Sequence, residues 1–118
     1  MARIAVILDT NEPTVIPVLR RSTGESVAVL RSRIAKREPV GEYLLFMNDH
    51  DEVTGRLLGL LDALVQERVP MSLYELKDDE RLDEVHDLER RRVTREYVEK
   101  MVARHDAEVA RFLGEDPE

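Results

Sequence analysis

Apolar residues along this chain follow two different spacings, and the changes between them mark out its elements. Arg3-Ile-Ala-Val-Ile-Leu8 is a short, nearly continuous apolar run closed by Asp9 and Asn11, which predicts a buried strand. Glu42-Tyr-Leu-Leu-Phe-Met47 predicts a second strand and Met71-Ser-Leu-Tyr-Glu-Leu76 a third. Between them the spacing becomes helical. Val27, Leu30 and Ile34 form a stripe over 23–36, preceded by Ser22 and Glu25 at capping-box spacing and followed by Pro39 and Gly41. Val53, Leu57, Leu60, Leu61 and Leu64 share one face of a helix over 52–68, widened by Leu58 and Val65, with Asp49 and Glu52 as its cap signal. Gly55, Gly59 and Ala63 recur on the opposite face, either as tolerated solvent-facing glycines or as a close-approach surface for another helix.

Residues 15–19, Val-Ile-Pro-Val-Leu, fit two readings. The favoured one is an edge strand in a hairpin with the first strand, because a proline is confined to sheet edges. The competing one is the start of a helix with Pro13 in its first turn. The segment 42–76 reads as strand, helix, strand, which predicts a right-handed parallel crossover.

The last third has no proline or glycine from Asp79 to Leu113. One helix of that length would run about 52 Å, beside a 78-residue body only about 30 Å across. Leu82, Val85 and Leu88 make one apolar stripe. Val93, Tyr97, Val98, Met101, Val102, Val109, Phe112 and Leu113 make a second, rotated from the first by about a quarter turn or more at 100° per residue. The expected organisation is a body over 1–78 and a charged amphipathic helix over 79–118, bent near 89–93 or serving two partners, with 114–118 frayed. Residues 82–88 are expected against the body near Gly55 and Gly59, and 93–113 against a partner.

Charge and composition narrow the function. The net charge is −7, with the tail more acidic than the body, which disfavours binding duplex DNA through phosphate neutralisation. Absence of cysteine removes disulfides and thiolate chemistry. Five aromatics are few for stacking single-stranded nucleic acid. The apolar start of the chain is too short for a signal peptide, and no stretch approaches a membrane span, so a cytoplasmic location is expected.

Asp9, Asn11, Asn48, Asp49, His50 and Asp51 all follow expected strand ends. Asp9, Asp49 and Asp51 are candidate ligands for Mg²⁺ or Mn²⁺, hard cations that take oxygen donors; equally, they are the turn and cap residues such junctions require. Arg20, Arg21, Arg31, Arg33, Lys36 and Arg37 form a local basic set, read as solvated rims of a helix or as a patch for RNA. Arg90-Arg91-Arg92 is spaced to pair with Asp87, Glu89 and Glu96. His50, His86 and His105 have no mutual short spacing, and no nucleophile or phosphate-loop motif occurs.

Two family resemblances accompany these readings. Leu8-Asp9-Thr10-Asn11 resembles the opening of PIN-domain ribonucleases, and Leu45-Phe-Met-Asn48-Asp49 is similar to their later acidic strand end. That likeness covers about ten residues, ends at Glu12-Pro13, and implies a metal-dependent nuclease. Val18–Leu30 and Leu61–Lys77 resemble pieces of the C-terminal domain of the bacterial ribosomal stalk protein, which implies a small α+β protein-binding module.

The combined expectation is an α+β fold: a small mixed sheet of three to four strands, two helices on one face, and a long C-terminal helix. A small three-layer α/β sandwich is the alternative if 13–37 is mostly helical. The expected function is a non-enzymatic interaction module (adaptor, regulator, assembly subunit or immunity-type protein) that needs no cofactor. It associates, most simply as a homodimer, through Val93, Tyr97, Met101, Val102, Val109 and Phe112. The alternatives are a metal-dependent phosphodiesterase and an RNA-binding module.

Overall fold

The computed structural model describes residues 2–47, 49–77 and 79–113; the expected frayed end at 114–118 and Asn48 lie outside them. Ala2–Leu8 forms strand β1. Ile4, Val6 and Leu8 face one side of it and Ala5 and Ile7 the other, and all five are buried. A strand covered on both faces reads as a continuous apolar run, which is why this one does not alternate. β2 (Gly41–Leu44) pairs with one edge of β1 and β3 (Met71–Lys77) with the other; β4 (Arg92–Val93) pairs with β3. The order is β2-β1-β3-β4 and every pairing is antiparallel, with Arg3 opposite Leu44 and Leu76, and Val6 opposite Gly41 and Leu73.

The fold is α+β, but the sheet is not mixed. β2 and β3 do run in the same direction, as the crossover reading requires. However, β1 lies between them and opposes both. The most apolar strand takes the most buried position, so it separates two strands that are consecutive in sequence.

All four helices contribute to one core on the Ile4–Val6–Leu8 face. Pro13 begins a 3-10 turn, Pro13–Val15, that leads into α1 (Ile16–Thr23) with Pro17 in its first turn. Both prolines therefore sit where a missing amide costs no intrahelical bond. Ile16, Val18 and Leu19 are buried, so the edge-strand reading of 15–19 gives way to the helical one. Gly24, at φ 74°, takes the left-handed conformation that ends α1. Ser26 then caps α2 (Val27–Ala35) by accepting a hydrogen bond from the Val29 amide at 3.2 Å. The helix expected over 23–36 is α2, which starts four residues later because Gly24 ends α1, and its cap is Ser26 rather than Ser22. A left-handed residue at Phe46, φ 68°, follows β2, which stops at Leu44 rather than Met47.

α3 (His50–Gln66) buries Leu57, Leu60, Leu61 and Leu64. Gly55 and Gly59 are exposed, and a Cβ added to either would meet nothing within 4 Å. They are the solvent face of the helix, not a packing surface for 82–88.

The tail departs most from expectation. Residues 79–91 are not helical apart from two 3-10 turns, Leu82–Glu84 and Leu88–Arg91, and only Arg95–Phe112 forms a long helix, α4. The second 3-10 turn packs against β3. Leu82 and Leu88 line one groove with Ile7 and Tyr74, which places 79–91 on the side of the sheet away from the helices. Glu80 fastens this cover. Its carboxylate takes both guanidinium nitrogens of Arg91 at 2.9 and 2.8 Å and the Lys77 amide at 2.8 Å, while its carbonyl accepts from Arg3. The Lys77 amide bond, with the Arg91 guanidinium adding to it, holds the Glu80 carboxyl below the usual carboxylate range.

Candidate functional site

α4 carries most of the residues expected to meet a partner, and its geometry is set at three levels. At its start Thr94 caps the helix, accepting from the Tyr97 amide at 3.1 Å. Arg95 bonds Asp62, near the end of α3, and also Glu99 at 2.9 Å. Tyr97 donates its hydroxyl to Glu75 on β3 at 3.0 Å, and that bond to the neutral phenol is the main reason its pKa is raised. Below these polar contacts Val98 (0% exposed) and Val102 (6%) belong to the main core, with Met101 and Val93 packed against it.

The middle of α4 is held by a ring cluster at the other end of α3. His105 packs against Phe46 with the rings tilted and centroids 4.3 Å apart, and meets His50 edge-on at 4.6 Å. His50 is buried at the first residue of α3 and bonds Asp106 through Nε2 at 3.0 Å. Its Nδ1 accepts the Phe46 amide at 3.2 Å and lies 3.3 Å from the Thr54 hydroxyl. Because Nδ1 faces an amide hydrogen, the ring proton belongs on Nε2, which donates it to Asp106. Contacts of Arg95 with Asp62 and of Asp106 with His50 make α3 and α4 antiparallel neighbours.

The last turns continue past this latch. Val109 is 41% exposed, Phe112 90% and Leu113 62%. At 100° per residue Val109 lies between Val98 and Val102, and Phe112 within about 60° of it. The apolar stripe that buries the first half of α4 therefore runs on beyond the body, at the end of the molecule where Met47 is also exposed. The six residues expected to form one partner seam are divided. Val102 is core, Val93 and Met101 are partly buried against it, Tyr97 is tied to Glu75, and Val109 and Phe112 face outward.

The acidic constellation does not assemble. Asp9 follows the C-terminal end of β1, where it accepts from Ser72 Oγ at 2.7 Å and from Arg37 at 2.9 Å. Asp49 and Asp51 follow β2, whose C-terminal end lies beside Arg3 at the opposite end of β1. Antiparallel pairing thus separates Asp9 from Asp49 and Asp51 by about a strand length, roughly 20 Å for six residues. His50, Asp51 and Asp106 do bring potential ligand atoms within 4.8 Å of one another. An ion on His50 Nε2 would move the ring proton to Nδ1, against the Phe46 N–H. The chemistry of the donor set therefore fits a hydrogen-bonded latch and not a Mg²⁺, Mn²⁺ or Zn²⁺ site.

The basic set is divided too. Arg20 and Arg21 lie on α1 beside a shallow depression under Gly24, and Arg31 is exposed on α2. Arg33, Lys36 and Arg37 face an open groove, where Arg56 and Arg81 join them from distant parts of the sequence. Sequence reasoning missed the ring cluster and the Glu80 fastening. The only signal for either was an isolated histidine or glutamate, and the α4 partners of His50 lie 55 and 56 residues away, while Arg91 lies 11 residues from Glu80. Comparison with protein-family models, with curated proteins and with solved structures finds no match to this chain, so neither the PIN-domain nor the ribosomal stalk likeness gains support.

Proposed function

We propose that this protein is an interaction module whose contact surface is the overhanging end of α4, and that its simplest partner is a second copy of itself. The observation that carries this reading is the continuation of a core-facing apolar stripe into Val109, Phe112 and Leu113, which are exposed among the described residues. Large apolar side chains grouped at one exposed tip favour burial against another surface. A symmetric pair needs one self-complementary patch.

Burying a Phe, Leu or Val side chain contributes about 1.5–3 kcal/mol, against an association cost of roughly 4–15 kcal/mol. Three such side chains in each of two copies contribute roughly 9–18 kcal/mol, a modest surplus over that cost, so the dimer is weak and reversible. Light scattering over a concentration series on the full chain tests it. The expected outcome is a monomer–dimer equilibrium that Phe112→Asp with Leu113→Asp abolishes while the melting temperature of the monomer is unchanged. A chain that stays monomeric at high micromolar concentration, or a double variant that dimerises as the parent does, overturns the reading. Point variants are required because truncation at residue 90 would remove Val98 and Val102 from the core.

A further inference from the structure

The groove that collects the scattered arginines has an open strand for its floor. β2 is an outer strand of the sheet: it pairs with β1, and no other described strand pairs with it. The groove, about 1120 Å³ and open to solvent, runs along Gly41–Tyr43. One wall is the end of α2 with Arg33 and Lys36, together with Arg56 of α3. The other is the 79–91 cover with Arg81 and Leu82. Six cationic and four acidic side chains line it, a balance of +2 in a chain whose net charge is −7. Arg37 is paired with Asp9 and Arg56 with Glu52, and Arg81 lies near Asp83 and Glu84. Arg33 and Lys36 have no ion pair among the described residues. Tyr43 lies back along the strand over Gly41, where an added Cβ would come within 2.7 Å of its ring.

We infer that this groove binds an extended acidic peptide segment of a partner protein by strand addition to β2. The outer edge of β2 offers the backbone donors and acceptors that pair an incoming strand. Side chains of an extended peptide alternate between the two walls. Those facing α2 and α3 meet Arg33, Lys36 and Arg56 and are acidic; those facing the cover meet Leu82 and are apolar. Nucleic acid is the less suited ligand, because a sugar–phosphate backbone has no alternating amide donors and acceptors to pair with the edge of β2. This surface is distinct from the α4 tip, so either can fail without the other.

The test uses the full chain and a displayed library of random twelve-residue peptides. Selection is expected to enrich peptides with acidic residues at alternate positions. The best of them, synthesised, should lose affinity about tenfold or more against Arg33→Glu with Lys36→Glu, two surface changes that leave the melting temperature in place. It should lose a similar amount when its alternate backbone amides are N-methylated. An unenriched selection overturns the proposal. So does a selected peptide that ignores the charge reversal or tolerates N-methylation. A twelve-nucleotide oligouridylate that binds more tightly than any peptide, and is lost in the same double variant, also overturns it by giving the groove to nucleic acid.

Discussion

The two halves of α4 share one apolar stripe but not one fate. Residues 95–106 are fixed at three levels: the Arg95–Asp62 contact, the Val98 and Val102 side chains in the core, and the His50–Asp106 latch. Residues 107–113 have the same periodicity but project past the start of α3, where nothing in the described body lies beneath them. An amphipathic pattern therefore specifies that a face wants covering. Whether the protein's own body covers it depends on how far that body extends.

The largest expected effect contrasts the halves directly. Val98→Asp places an unpaired carboxylate at a fully buried position, which costs several kcal/mol. A thermal melt followed by circular dichroism should show no folded baseline, whereas Phe112→Asp should melt within about 0.5 kcal/mol of the parent. A folded Val98→Asp variant would mean that α4 is not part of the core.

The two faces of α3 give the next effect. Gly55→Ala with Gly59→Ala should raise stability by up to about 1 kcal/mol each, because the new methyl groups meet only solvent and alanine is the better helix former. Denaturant titration reads this, and a loss of stability would place a packing partner on that face.

Asp106→Asn is expected to cost about 1 kcal/mol, removing the charge from the acceptor of His50 Nε2–H. Amide exchange should quicken in 103–113 and stay unchanged in β1. Equal quickening in both would show that the latch holds the whole domain rather than the outer half of α4.

The smallest and most local effect is acid sensitivity of the 79–91 cover. The folded Glu80 pKa is depressed, so the unfolded state binds more protons as pH falls. Its stabilisation is present above the ordinary carboxylate range and is lost as pH drops through the depressed value. Glu80→Gln should flatten that acid limb in pH-dependent unfolding monitored by circular dichroism, and an unchanged limb would remove Glu80 from the account.

Much of the fold was legible. Continuous apolar runs gave β1 and the core of β3, and the leucine spacing gave α3 to within about two residues at either end. Pro13 and Pro17 suit either an edge strand or a first helical turn, and the burial of Ile16, Val18 and Leu19 decides for the helix. Gly24 was read as part of a capping box, yet its backbone ended one helix and let Ser26 start another. The charged run 79–94 has helical composition, but Leu82 and Leu88 found a surface under which to lie, the outer face of β1 and β3, and Glu80 found Arg91. In the 79–94 run a tertiary contact outweighed a local preference worth a few tenths of a kcal/mol per residue, whereas local capping at Gly24 and Ser26 set the boundary between α1 and α2. The candidate site was less legible, since the ring cluster and the groove draw on residues far apart in the chain.

By itself the sequence determined the character of its most strongly patterned segments: that β1 and β3 are strands and which faces of α3 and α4 are apolar. Those properties follow from the spacing of side chains on a periodic backbone. Only the tertiary structure decided adjacency. Placing β1 between β2 and β3 put Asp9 and Asp51 at opposite ends of the sheet, left β2 with a free edge among arginines, and stopped the body short of Phe112. Strand order depends on which run gains most from burial on both faces, a comparison across the whole chain that no local window contains.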